Sequence, residues 1–153
     1  MKTYHKVIFV CIDNTCRSIM AEAVMNSVNR KKKLQVLSRG LVVLFPEPMN
    51  PKAVAVLKGN QLKPSKESSE QLTLSDLEEE GTLVLTMTEY ESSQAKECFN
   101  GRADIYSIGE FVRKPGDINQ PHGGTLAEYG ACYEYIDLMV KMAAEKLLKE
   151  DTI

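Results

Sequence analysis

The chain has 153 residues, 43% of them hydrophobic and 26% charged, with a formal net charge of -2. That length suits one domain over residues 1–153 with a substantial core, and the charge balance lacks the basic stripe of a nucleic-acid-binding surface. No apolar run reaches the about 20 residues of a membrane span, MKTYHK is not laid out as a signal peptide, and the four cysteines read as free thiols. Together these point to a cytoplasmic protein with neither nucleic-acid nor membrane partners.

Val7 to Val10 form a continuous apolar, β-prone run, the pattern of a buried strand. His5, just before it, reads as a surface residue. The run stops at Cys11. Arg17 and Ser18 follow, and then Ile19, Met20, Ala23, Val24 and Val28 make one helical stripe. Lys31 to Lys33 read as a solvated helix end. Leu34 to Leu37 is a second short strand, and the prolines of PEPMNP mark a loop from Pro46 to Pro51. Ala53, Val54, Val56 and Leu57 begin a helix that ends near Gly59 and Asn60. After a polar stretch from Lys63 to Gln71, TLSDLEEE reads as a short helix capped by Thr73 or Ser75, with Glu78 to Glu80 solvated. Leu83 to Met87 is a third strand, Glu89 to Phe99 a helix and Ala103 to Tyr106 a weak fourth strand. Ser107 to Gly124 is a Gly- and Pro-rich loop, long enough for so small a domain to be functional. Leu126, Tyr129, Tyr133, Ile136, Val140, Ala143 and Leu147 then trace a long amphipathic helix. This alternation predicts an α/β fold with a central parallel sheet of four strands, whose ligands bind at the carboxyl ends of the strands.

Cys11 stands at one such end. A tight turn leading into a helix turns several backbone N–H groups inward, and the helix N-terminus adds positive potential, so residues 11–17 form an anion cradle. A thiol at its centre is expected to ionise more easily than usual. The planar fork of Arg17 can hold two oxygens of a tetrahedral oxyanion. A thiolate beneath a bound phosphate is placed for in-line attack, giving a phosphocysteine that water then hydrolyses. Ser18 can hydrogen-bond the sulfur. The competing bland reading is a buried structural cysteine beside a surface arginine, and its position between strand and helix weighs against it. Zinc at Cys11 and Cys16 needs two more ligands, and Cys98, Cys132, His5 and His122 are scattered, so no metal is expected.

VIFVCIDNTCRSIMAEAV, LSRG, TLVLTMTE and QPHGGTLAEYGACYEYI, in that order, resemble the low-molecular-weight protein tyrosine phosphatases, which share their fold with the thioredoxin-coupled arsenate reductases. The resemblance implies a three-layer sandwich and an enzyme without metal or organic cofactor. Its substrate would be a phosphorylated protein or small aryl phosphate, and its product inorganic phosphate. By that resemblance Cys11 is the nucleophile and Arg17 the phosphate clamp. Ile12, Asp13, Asn14, Thr15, Cys16 and Ser18 complete the phosphate-binding loop. Asn14 is braced against Ser38, and Ser18 assists the leaving thiolate. Cys16 is the redox partner whose disulfide with Cys11 would protect the nucleophile. Cys98 and Cys132 lie in predicted helices and are expected in the core.

Four departures from the family pattern stand out. Asp13 replaces a loop glycine, and its carboxylate is expected on the rim, facing outward. Gln120 occupies the position of the general-acid aspartate, and an amide cannot supply that proton; Asp117 and His122 are the substitute candidates. His122 takes an aromatic position of the pocket wall. Glu67 replaces a histidine that helps brace the phosphate loop, and Ile19 a proline at the helix start. Thr15 tilts toward phosphoarginine, as in the arginine-directed members. The rival readings are a binding module that holds phosphorylated partners without turnover, and an arsenate reductase, which would need paired relay cysteines that Cys98 and Cys132 do not reproduce.

Overall fold

The computed structural model describes residues 2–121 and 124–149. Its centre is a sheet of four parallel strands in the order β2-β1-β3-β4. The strands are β1 (Lys6–Cys11), β2 (Gln35–Gly40), β3 (Thr82–Thr86) and β4 (Asp104–Ser107). Parallel neighbours need crossovers, and helices supply them: α1 (Arg17–Val28) before β2, α2 (Pro51–Gly59) and α3 (Leu74–Leu77) before β3, and α4 (Glu89–Cys98) before β4, while α5 (Ile108–Val112) and α6 (Leu126–Leu147) follow the last strand. Among the described residues no helix is long and apolar enough to cross a membrane.

The two-residue period of β1 divides the core. Val7 and Phe9 pack with Met20, Val24, Leu57, Ile136 and Val140 of α1, α2 and α6. Ile8 and Val10 pack on the opposite face with Leu77 of α3 and Ala95 of α4. All six β1 residues are buried, which explains why the strand reads as an unbroken apolar run. The result is three layers, helix–sheet–helix.

Element bounds differ from the sequence expectation where pairing overrides hydrophobicity. β2 runs on through Ser38, Arg39 and Gly40 because each still pairs with β1, ending at Cys11↔Gly40. The expected loop after Ser107 contains α5. A reciprocal cap starts it, with Glu110 N donating to Ser107 Oγ at 3.2 Å and Ser107 N to Glu110 Oε1 at 2.9 Å, and Arg113 in the left-handed region (φ 59) stops it. α1 ends at Val28, so Lys31 to Lys33 lie in the turn beyond it. Cys98 is exposed rather than core, because Phe99 takes the inward place after Ala95 at the end of α4. Cys132 is half-buried at the margin of the α6 stripe.

Candidate active site

Cys11 is the last residue of β1 and Arg17 the first of α1, so the residues between them form the connection. α1 has no side-chain cap and no acidic residue in its first turn, which leaves its N-terminal potential uncompensated toward the loop. The loop is pinned on two sides. Leu41 N and Val42 N donate to Cys11 O and Ile12 O, and Asn50 N donates to Thr15 O. Gly40 makes the first approach possible: a Cβ there would lie 3.0 Å from both Asp13 C and Ile12 O. The same segment exposes Val42, Leu44 and Phe45 to solvent beside the loop.

Asn14 organises the interior. It is fully buried and held at φ 60, a conformation that asparagine adopts more readily than most residues. Its Oδ1 accepts from Lys66 Nζ at 2.6 Å and from Glu70 N at 3.0 Å. Both partners can only donate, so the amide orientation is settled and Nδ2 faces the other way. Nδ2 donates to Ser18 Oγ at 2.7 Å and Ser38 Oγ at 3.1 Å. Ser38 Oγ in turn donates a hydrogen bond to Glu22 Oε1 at 2.7 Å. Ser18 Oγ lies 3.0 Å from Cys11 Sγ.

Arg17 is buried and engaged on three sides. Nη1 donates to Ile118 O at 2.9 Å and to Glu91 Oε1 at 3.4 Å, Nη2 to Glu91 Oε2 at 2.8 Å, and Nε to Gln120 Oε1 at 3.0 Å. Sequence reasoning missed Glu91 altogether, although the T-x-x-E signature of Thr88 to Glu91 marks it as a capping residue. Burial raises its carboxyl above the ordinary range against the pull of Arg17 and Thr88. The Cys11 thiol is likewise pushed up by burial, with Arg17 and Ser18 pulling down and Glu91 pushing up. The easily ionised thiol expected from the loop alone is therefore not what the structure shows, because burial outweighs the pull of Arg17 and Ser18, and Glu91 adds to it.

Several expected site residues lie elsewhere. Asp117 is exposed and its Oδ1 accepts from Glu89 N at 2.9 Å, at the start of α4 rather than at Cys11. Glu67 is exposed, and Lys66 is the residue that reaches Asn14; the lysine stem spans the distance from a loop remote in sequence. Asp13 is half-buried, and its Oδ1 accepts from Thr15 N at 3.1 Å. His122 lies outside the described residues. Cys16, the residue before α1, is buried, and burial raises its thiol. The Cys132 thiol, 3.9 Å from Asn119 O, is raised to about 11 by burial and stands in electrostatic reach of Cys11 and Cys16.

A thiol at the end of a parallel strand, an arginine opening the next helix and a braced loop between them define a phosphate-loop α/β protein. The family model for low molecular weight phosphotyrosine protein phosphatase matches residues 6–152, and the chain belongs to that family of cysteine-dependent hydrolases. A low molecular weight protein-tyrosine-phosphatase PtpB of Staphylococcus haemolyticus is 31% identical over 134 residues, covering 86% of this chain and 91% of the relative. YwlE arginine phosphatase from Geobacillus stearothermophilus superposes with a TM-score of 0.87 at 29% identity, over 97% of this chain and 96% of its own. A low molecular weight protein tyrosine phosphatase from Bacillus subtilis superposes with a TM-score of 0.81 at 31% identity, over 97% and 99% of the two chains.

Proposed function

We propose that residues 1–153 form one phosphatase domain that hydrolyses phosphoproteins of the phosphotyrosine type through a phosphocysteine on Cys11. The observation that carries this reading is the Ser18 Oγ to Cys11 Sγ contact of 3.0 Å at the carboxyl end of β1, with Arg17 opening the next helix. Phosphate sits over the loop, held by the N–H groups of residues 12–18 and by the guanidinium. The Cys11 thiolate forms the S–P bond as the ester P–O bond breaks. The leaving oxygen takes its proton from solvent, because the Gln120 amide has none of suitable acidity. Water then attacks phosphorus, the S–P electron pair returns to sulfur with Ser18 donating to it, and inorganic phosphate departs. A structural neighbour described as a YwlE arginine phosphatase mutant in which serine replaces a cysteine, with the active-site serine phosphorylated, supports a covalent step.

A second reading has its own observation. Gln120 holds Arg17 Nε, and Asp13 holds the Thr15 N–H, so two donors that an oxyanion would use already have partners. That favours a slow member that binds phosphorylated partners more than it turns them over.

Steady-state hydrolysis of aryl phosphates with leaving groups of rising pKa, beside phosphotyrosine and phosphoarginine peptides and with Cys11→Ser as blank, separates the two. Turnover above the blank that falls steeply with leaving-group pKa, and flattens in Gln120→Asp, is expected for a phosphatase without its acid. Wild type equal to the blank throughout, with tight phosphopeptide binding, overturns the first reading in favour of the second.

A further inference from the structure

We propose that Lys66 is a positioning residue for the nucleophile: its ammonium holds the Asn14 carboxamide, and through it keeps the Ser18 hydroxyl aimed at the Cys11 sulfur. The chain of contacts is continuous. Lys66 Nζ donates to Asn14 Oδ1 at 2.6 Å and is seated by a second bond to Ser38 O at 2.7 Å. Asn14 Nδ2 donates to Ser18 Oγ at 2.7 Å, and Ser18 Oγ lies 3.0 Å from Cys11 Sγ. A thiolate can only accept, so once Cys11 ionises the Ser18 proton points at sulfur while its lone pair receives Asn14. Each link polarises the next in a buried chain.

The charge at the far end of that chain matters here because the nearer one is opposed in part by its own partner. Arg17 is paired with Glu91, whose carboxylate works against ionisation of Cys11. Lys66 is half-buried. The charged groups around it are Glu70, with Oε1 at 3.2 Å, then Arg39 and Glu22. Those facing Cys11 are Arg17 and Glu91, with the Cys16 and Cys132 thiols nearby. The hydrogen bonds from Lys66 to Asn14, from Asn14 to Ser18 and between Ser18 and Cys11 give the influence of Lys66 a direct route to the sulfur.

The inference rests on reading Cys11 as the nucleophile, but its test needs no turnover. Ultraviolet thiolate absorbance is followed against pH in wild type, Lys66→Met, Lys66→Arg, Ser18→Ala and the Lys66→Met/Ser18→Ala double variant, each corrected with its Cys11→Ser counterpart. Lys66→Met is expected to raise the Cys11 midpoint by roughly half to one pH unit, about three- to tenfold less thiolate below the midpoint. Lys66→Arg, which keeps an N–H donor and the charge, is expected to restore most of the shift, and Lys66→Met should add nothing once Ser18 is alanine. Should Lys66→Met not fold, Lys66→Gln is expected to shift the midpoint in the same direction. A wild-type midpoint in either folded variant overturns the proposal, and so does an undiminished Lys66→Met shift in the Ser18→Ala background. A phosphatase assay that fails would leave these outcomes readable.

Discussion

Replacing Glu91 with alanine removes the carboxylate that holds both Nη atoms of Arg17, at 2.8 and 3.4 Å. The two side chains are 5% and 2% exposed, so solvent cannot take over the role of the lost partner. The guanidinium keeps Ile118 O and Gln120 Oε1, but its charge is left without a counter-charge. Breaking a buried pair in this way costs about 3–5 kcal/mol. For a domain of this size, about 2–4 °C of melting temperature per kcal/mol makes the expected fall roughly 6–20 °C, read by thermal circular dichroism. Inorganic phosphate supplies a new anion to Arg17, and at about a hundred times its dissociation constant it should return about 2.7 kcal/mol. The same variant is expected to lower the ionisation midpoint of Cys11, because Glu91 is one of the charges raising it. A stability loss below about 1 kcal/mol, the scale of a surface pair, together with an unmoved Cys11 midpoint, would refute the reasoning that Glu91 compensates Arg17.

Gln120→Ala frees Arg17 Nε, and loss of one competing hydrogen bond should tighten competitive inhibition by phosphate roughly fivefold; an inhibition constant that rises instead means Gln120 helps hold the anion. Gln120→Asp is expected to raise turnover of esters with poor leaving groups by up to about 10²–10⁴-fold, and equal gains on good and poor leaving groups would exclude acid catalysis as the cause. Because burial holds the Cys11 thiol above its ordinary range and only the thiolate attacks, kcat/KM on an activated aryl phosphate should climb with pH through neutrality; a profile flat from mildly acidic pH upward contradicts this. Gly40→Ala would set a Cβ 2.6 Å from Val43 Cγ2 and 3.0 Å from the backbone of Ile12 and Asp13. The valine can turn aside but the loop backbone cannot, so about 1–3 kcal/mol of stability should be lost. Activity should fall further than stability, and wild-type kcat/KM would show that the loop tolerates the shift.

β1, the cradle and α6 were legible in the sequence because each is written locally. An unbroken apolar run marks a strand buried on both faces, the cysteine and arginine bracket a short connection, and the three-and-four spacing from Leu126 onward marks one helix face. α5 was legible only in its cap, Ser107 with Glu110, and was hidden by its five-residue length. Cys98 looked like a core residue by type, and the identity of the inward neighbour, Phe99, decided otherwise.

What surrounds the loop belongs to tertiary structure. Lys66 meets Asn14 across 52 residues, Glu91 meets Arg17 across 74, and Gln120 meets Arg17 across 103. No periodicity carries such pairings, since they arise when separate crossovers deliver their connections to the same end of a parallel sheet. By itself, the sequence determined that a thiol and a guanidinium flank a short turn between a strand and a helix. The fold decided how deeply the sulfur is buried and which groups stand behind the loop, and burial together with the Glu91 carboxylate works against the pull that Arg17 and Ser18 exert on the thiol, because taking a charge out of water costs more than those partners return.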